Sequence, residues 1–99
     1  MQEQITRGVF MRIKEGFTLK NIHGQNFIVY TGTDLTDFTR SISLSTTSSF
    51  LWEKLREGEK SKEELFKLLL ECFDISTVLA LNDIDVFVKT LKKDGIIEE

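Results

Sequence analysis

The periodicity of the sequence changes abruptly after Leu44. Ahead of this point, Phe17–Lys20 alternates apolar with polar residues, which is typical of a half-buried strand. Behind it, Phe50, Leu51 and Leu55 recur at helical spacing. A chain whose strand pattern lies before its helix pattern is predicted to fold as α+β, with the helices covering one face of an antiparallel sheet.

Three strands are predicted before the change. The first covers Phe17–Lys20, and a turn containing Gly24 leads into a returning strand, Phe27–Thr31, which is rich in β-branched and aromatic residues. The third and shortest strand is Arg40–Leu44. One further short strand, Val9–Ile13, is possible in an N-terminal arm.

Three helices are predicted after the change. Ser45 or Thr46 caps the first, and Gly58 ends it. A capping box that begins at Ser61 starts the second. The third ends at Gly95, and its start is open between an early cap at Ser76 or Thr77, which we prefer, and a late one at Asn82. Its inward stripe comprises Ala80, Ile84, Phe87, Val88 and Leu91.

The length and charge of the chain limit what it can be. Its 99 residues suit one small domain at residues 13–97, with an N-terminal arm at 1–12 and an acidic tail at 98–99. A formal charge of −3 disfavours a sequence-independent grip on nucleic acid. Cys72 is expected to be a small buried hydrophobe. Without a basic start followed by an apolar block, the expected location is the cytoplasm.

Residues that suggest chemistry are few. His23 lies in a turn with no second histidine or cysteine nearby, so we predict no metal site. Trp52 is expected to anchor the core rather than a ligand. The hydroxyl run Thr46–Ser49 lacks a partner base and is better suited to capping than to nucleophilic attack. The sequence predicts neither catalysis nor a cofactor.

A wider set of spaced residues resembles the PqqD family, which comprises coenzyme PQQ synthesis protein D and its relatives. The resemblance covers roughly residues 13–97 and departs mainly at Ser45, where family members often carry asparagine. It is carried by Gly16–Leu19, the apolar hairpin, Leu44–Trp52, Leu55, Gly58, Ser61–Leu65, Phe73, Asp74, Asp85, Phe87, Leu91 and Gly95–Ile97.

The resemblance implies a winged helix-turn-helix-like fold, a three-stranded antiparallel sheet followed by three helices. It also implies a RiPP recognition element, a non-catalytic module that holds the leader of a ribosomally made precursor peptide. Such a module presents the leader to a modifying enzyme, frequently a radical SAM enzyme. In this family the peptide adds as a strand beside the third β-strand, in a groove against the third helix.

These expectations give a hypothesis for the binding site. The strand side of the groove would be formed by Arg40, Ser41, Ile42 and Ser43, whose backbone groups offer an edge for strand addition. The helix side would be a second stripe with spacing i, i+4, i+7 and i+11. That stripe consists of Leu81, Asp85, Val88 and Lys92. The alternative is that Val88 is ordinary core and that Asp85 and Lys92 are solvated surface charges.

Two other functions remain open from the sequence. A winged-helix DNA-binding regulator would need a basic recognition helix, yet the lysines of the second and third helices alternate with acidic residues. A pure protein-interaction or oligomerisation domain is the other, and an exposed edge strand would also permit a homodimer.

Overall fold

The main sheet has the predicted order of strands. The computed structural model describes residues 9–30 and 42–99. Within them, β2 (Phe17–Ile22), β3 (Gln25–Tyr30) and β4 (Ile42–Leu44) form an antiparallel sheet in the order β2-β3-β4. Arg40 and Ser41, predicted as the start of the third strand, lie outside the described residues.

A two-residue turn joins β2 to β3. Ile22 pairs with Gln25, which leaves His23 and Gly24 as the loop. Both loop residues have positive φ, 53° at His23 and 83° at Gly24. Such a turn has the twist that suits a tight hairpin, and glycine adopts its second position without a steric penalty. The turn therefore fixes the register of the whole hairpin.

The first helix follows β4 after a single residue. The helix α1 (Thr46–Glu57) has Ser45 as its N-cap, and the Ser48 N–H donates to Ser45 Oγ at 3.2 Å. Ser45, where the sequence departs from the pattern of the family that it resembles, therefore caps the helix. Trp52 is 1% exposed and belongs to the core, as predicted, and Gly58 is the C-cap.

The other two helices begin at the predicted caps. At the start of α2 (Lys62–Cys72), the Glu64 N–H donates to Ser61 Oγ at 3.2 Å and the Ser61 N–H donates to Glu64 Oε1 at 3.0 Å. Ser76 caps α3 (Thr77–Lys93), which confirms the early start. All five residues of the predicted inward stripe of α3 are buried.

A second, smaller sheet was not predicted. Its central strand β1 (Phe10–Ile13) confirms the short strand suggested at Val9–Ile13, and it pairs on one side with β5 (Lys60–Ser61) and on the other with β6 (Ile97–Glu98). It buries Met11 to 2% exposure, so the fold begins before residue 13. Its partner strands are two residues long, too short to show any period in the sequence.

The core lies between the three helices and the inner face of the main sheet. Ile96 and Ile97 return to it, as predicted, and Arg56 ties α1 to the Phe17 carbonyl at 3.0 Å. The prediction for Cys72 is wrong, because this last residue of α2 is exposed. The fully buried members are Ile28, Leu51, Leu65, Leu69, Ala80, Leu91 and Ile96.

Candidate functional site

The candidate site begins at the outer edge of β4. This strand pairs with β3 through Asn26–Leu44, Phe27–Ser43 and Ile28–Ile42. Within residues 9–30 and 42–99, no strand pairs with its other side. An unpaired edge presents backbone N–H and C=O groups that can accept a further strand.

The hairpin turn determines which backbone groups point outward. In a two-residue hairpin the flanking pair, Ile22–Gln25, exchanges both backbone hydrogen bonds, and bonded pairs then alternate along the ladder. Phe27 therefore directs its N–H and C=O toward β2, and the residues on either side of it direct theirs toward β4. Phe27 and its partner Ser43 therefore form a non-hydrogen-bonded pair. The N–H and C=O of Ser43 consequently point away from β3, to the open edge.

The side chains of β4 divide between the core and solvent. Leu44 is buried and Ile42 packs against the core, while Ser43 is exposed. Gln25 Nε2 donates to Ser43 Oγ across the outer face of the sheet. On the inner face, Asn26 Nδ2 donates to Ser49 Oγ at 2.9 Å and ties β3 to α1. The strand is therefore held through its ladder with β3, through core packing and through the Gln25–Ser43 bond, and its outer edge is unpaired among residues 9–30 and 42–99.

One hydrogen bond determines which side of α3 lies near this edge. Thr47, three residues after the end of β4, donates from Oγ1 to Asp83 Oδ2 at 3.2 Å. Residues that share this side recur at i, i+4, i+7 and i+11, as the helical repeat requires. We call this side of α3 the edge flank, and it consists of Leu79, Asp83, Val86 and Thr90.

The predicted stripe of α3 lies on the other side. Asp83 and Asp85 are two residues apart and thus separated by about 200° around the helix. Asp85 accepts a bond from Lys62 of α2 at 3.2 Å, and Lys92 pairs with Glu99. We call this side the α2 flank, and it consists of Leu81, Asp85 and Lys92.

The structure therefore brings together only part of the predicted site. Ile42 and Ser43 lie on the edge strand, while Leu81, Asp85 and Lys92 are exposed on the α2 flank. Val88 is 4% exposed and belongs to the core, which agrees with the alternative interpretation of this residue. With Lys92, it borders a cavity of about 520 Å³ between β1, α2 and α3.

The sequence hypothesis missed the edge flank. Leu79 and Val86 are both 55% exposed, which is high for large apolar side chains in a helix that buries five others. Their spacing matches that of the predicted stripe, shifted by two residues. The signal in the sequence was the set of apolar residues of α3 outside its inward stripe, but nothing local shows which of two equivalent stripes faces the sheet. That set is Val78, Leu79, Leu81 and Val86.

The other candidate residues lie in a turn and at the start of a helix. His23 is exposed in the hairpin turn. Ser48 of the hydroxyl run Thr46–Ser49 donates its backbone N–H to Ser45 at the start of α1. The described part of the chain holds no group of three or more histidine, cysteine or acidic residues that could bind a metal. Nor does any helix there have the length and apolar character needed to span a membrane.

The chain was compared with known protein families and with curated proteins. The family model for coenzyme PQQ synthesis protein D (PqqD) matches residues 27–97, from β3 to β6. A search of the curated proteins found no match.

Two solved structures share the fold at a TM-score of 0.66. One is TbiB1 in complex with the TbiA(beta) leader peptide, with 18% identity over 88% of this chain and 94% of that chain. The other is lasso peptide synthetase B1 complexed with the leader peptide, with 17% identity over 90% of this chain and 98% of that chain.

Proposed function

Since this chain belongs to the PqqD family, we propose that it binds the leader of a ribosomally made precursor peptide as an added strand on β4. The observation that carries the proposal is the edge at Ser43, which no strand in the described part of the chain pairs and whose N–H and C=O point away from β3. Main-chain hydrogen bonds along that edge would supply affinity, and side chains of α3 would supply selectivity.

Two solved structures support the proposal that a leader peptide is bound. TbiB1 and lasso peptide synthetase B1 have the same fold as this chain, and each is described in complex with a leader peptide. We propose that Ile42 and Ser43, together with the predicted Arg40 and Ser41, form the strand side of the site. The role of the module is non-catalytic, because it positions the peptide for another protein.

The partner is proposed to be a peptide-modifying enzyme, such as a radical SAM enzyme, that receives the bound precursor. The module would act in PQQ biosynthesis or in a related pathway for peptide-derived compounds, and in the cytoplasm. The same open edge would also accept β4 of a second copy, so a homodimer would compete with the leader for one surface. Sizing the protein with and without peptide distinguishes the two states.

The edge is tested with a backbone substitution at Ser43. Peptides are selected from a displayed library of random 15-residue sequences, and the affinity of an enriched peptide is measured by fluorescence anisotropy. Ser43→Pro removes the outward N–H and leaves the ladder bonds of Ile42 and Leu44 intact, because proline suits an edge strand. We expect binding to weaken by about tenfold, since a peptide carbonyl then loses its donor.

The matched control is Ser43→Ala, which removes the hydroxyl group and keeps the backbone N–H. It is expected to bind like the unmodified protein. Ile42→Pro is a poorer probe, because it removes a donor that the ladder uses and disturbs a side chain packed against the core. Failure to enrich any peptide, or equal affinity for Ser43→Pro and Ser43→Ala, would overturn strand addition at β4.

A further inference from the structure

Resting on the proposed function, we infer that the edge flank of α3 selects the leader, and that it selects an extended segment with two apolar side chains on one face. One apolar side chain would pack against Leu79 and the other against Val86. The sequence hypothesis assigned this role to the α2 flank, which differs from the edge flank in three observable respects.

The first respect is position. The edge flank is linked to the start of α1, directly after β4, by the Thr47–Asp83 hydrogen bond of 3.2 Å. A strand added to the outer edge of β4 would continue the sheet on this side of α3. The α2 flank is turned about 200° away, toward Lys62 and the C-terminus.

The second respect is the state of the polar groups. Asp85 and Lys92 on the α2 flank are already paired with Lys62 and Glu99 of the same chain. A ligand there would have to replace two ion pairs. On the edge flank, Asp83 is held by a neutral hydroxyl group, so its negative charge is not neutralised by that partner. A leader residue facing Asp83 is therefore expected to be neutral or basic.

The third respect is apolar exposure. Leu79 and Val86 leave 55% of their surface exposed on either side of Asp83, whereas the α2 flank has a single such side chain, Leu81 at 50%. Burying these side chains under a bound strand would remove apolar surface from water, which favours association. The edge flank thus offers two apolar contacts with one carboxylate between them.

The spacing of the two contacts restricts the leader. Leu79 and Val86 are seven residues apart, about 10.5 Å along the helix axis. Side chains on one face of an extended strand lie about 6.7 Å apart at two residues and about 13.4 Å apart at four, and these two distances bracket the helical spacing. A pair three residues apart would point to opposite faces. The leader is therefore expected to carry its two anchoring apolar residues at an even spacing.

The test uses three lysine substitutions of exposed apolar residues on the same helix. Leu79→Lys and Val86→Lys alter the edge flank, and Leu81→Lys alters the α2 flank at a position that is similarly exposed, at 50%. The probe is the peptide enriched from the displayed library against the full chain. Each edge-flank variant is expected to weaken binding by about tenfold or more, because apolar burial is replaced by a charge. Leu81→Lys is expected to stay within about twofold, as surface changes outside an interface usually do.

Circular dichroism melting checks that each variant is folded, and Leu79→Ser and Val86→Ser replace any lysine variant that is not. The enriched peptides themselves give a second readout, the spacing of their apolar residues. The inference is overturned, and the proposed function kept, if Ser43→Pro weakens binding while Leu79→Lys and Val86→Lys do not. Loss of affinity in Leu81→Lys alone would assign selection to the α2 flank. If the unmodified chain binds no peptide, the proposed function itself fails.

Discussion

The two flanks of α3 have the same residue spacing and opposite surroundings. The edge flank is joined to α1 by a partly buried hydrogen bond between Thr47 and Asp83. The α2 flank is joined to α2 by an ion pair between Lys62 and Asp85, whose side chains are 51% and 61% exposed. The edge flank exposes Leu79 and Val86 beside the outer edge of β4. The α2 flank carries Asp85 and Lys92, whose charges are paired with Lys62 and Glu99 of the same chain.

This difference shows how little separates a binding surface from an ordinary one in a helix. Both flanks border the same buried stripe, and both contain an aspartate. What distinguishes them is the element across from each, which depends on the tertiary arrangement. Substitutions in the buried stripe that both flanks border test this difference first. Substitutions at the Thr47–Asp83 bond of the edge flank and at the Lys62–Asp85 ion pair of the α2 flank then test each flank separately.

The largest effect is expected where both flanks meet the core. Val88 is 4% exposed, so Val88→Glu would place a carboxylate in an apolar interior. We expect the free energy of unfolding to fall by at least about 3 kcal/mol, a large share of a small domain's stability. Urea denaturation followed by circular dichroism measures this fall.

The control for that substitution is Val86→Glu, two residues earlier and 55% exposed on the edge flank. Its effect on the free energy of unfolding should remain within about 0.5 kcal/mol, as is usual for surface changes. If the two variants were equally stable, the division of α3 into a buried stripe and an exposed flank would be wrong.

An intermediate effect is expected at the link of the edge flank. Removing the Thr47 hydroxyl group in Thr47→Val, the Asp83 carboxylate in Asp83→Ala, and both together forms a double-mutant cycle. We expect a coupling energy of about 1 kcal/mol, because the bond is partly buried. Thr47→Ser keeps the hydroxyl group and serves as the control. A coupling energy near zero would mean that this bond does not hold α3 beside β4.

The smallest effect is expected at the link of the α2 flank. The cycle built from Lys62→Ala and Asp85→Ala should give a coupling energy of only about 0.2–1 kcal/mol, since water screens an exposed ion pair. Repeating both cycles at ~1 M salt sharpens the comparison, because screening at that ionic strength acts within about 3 Å. The coupling of Lys62 and Asp85 should fall, while that of Thr47 and Asp83 persists. A larger and salt-resistant coupling at Lys62–Asp85 would reverse the ranking of the two flanks.

Most of the fold could be predicted because its signals are local. The Ser61–Glu64 capping box, the Ser76 cap and the buried stripe of α3 each depend on residues within a few turns of one helix. The prediction for Cys72 was wrong because an apolar run defines the face of a helix less sharply near its last residue. Of the sheet β5-β1-β6, the sequence suggested only the strand at Val9–Ile13, because the two-residue strands β5 and β6 cannot display a period.

The site was harder to predict than the fold. Ser43 was identified as an edge residue, but its outward N–H depends on the hairpin register that His23 and Gly24 set. Val88 was offered both as core and as a binding residue, and packing of the helices decided for the core. Leu79 and Val86 were missed because a helix sequence alone gives two stripes of equal spacing on either side of its buried face.

By itself, the sequence determined that strands come before helices, where each helix begins, and which face of α3 is buried. These features follow from bonds and periodicities that residues near one another in the chain can satisfy. Only the tertiary structure decided three features: that no strand of residues 9–30 and 42–99 pairs with the outer edge of β4, that β1 lies between β5 and β6, and that Asp83 rather than Asp85 lies near that edge. The physical reason is that strand partners and helix neighbours are chosen by contacts between distant segments, and a local period leaves those contacts undetermined.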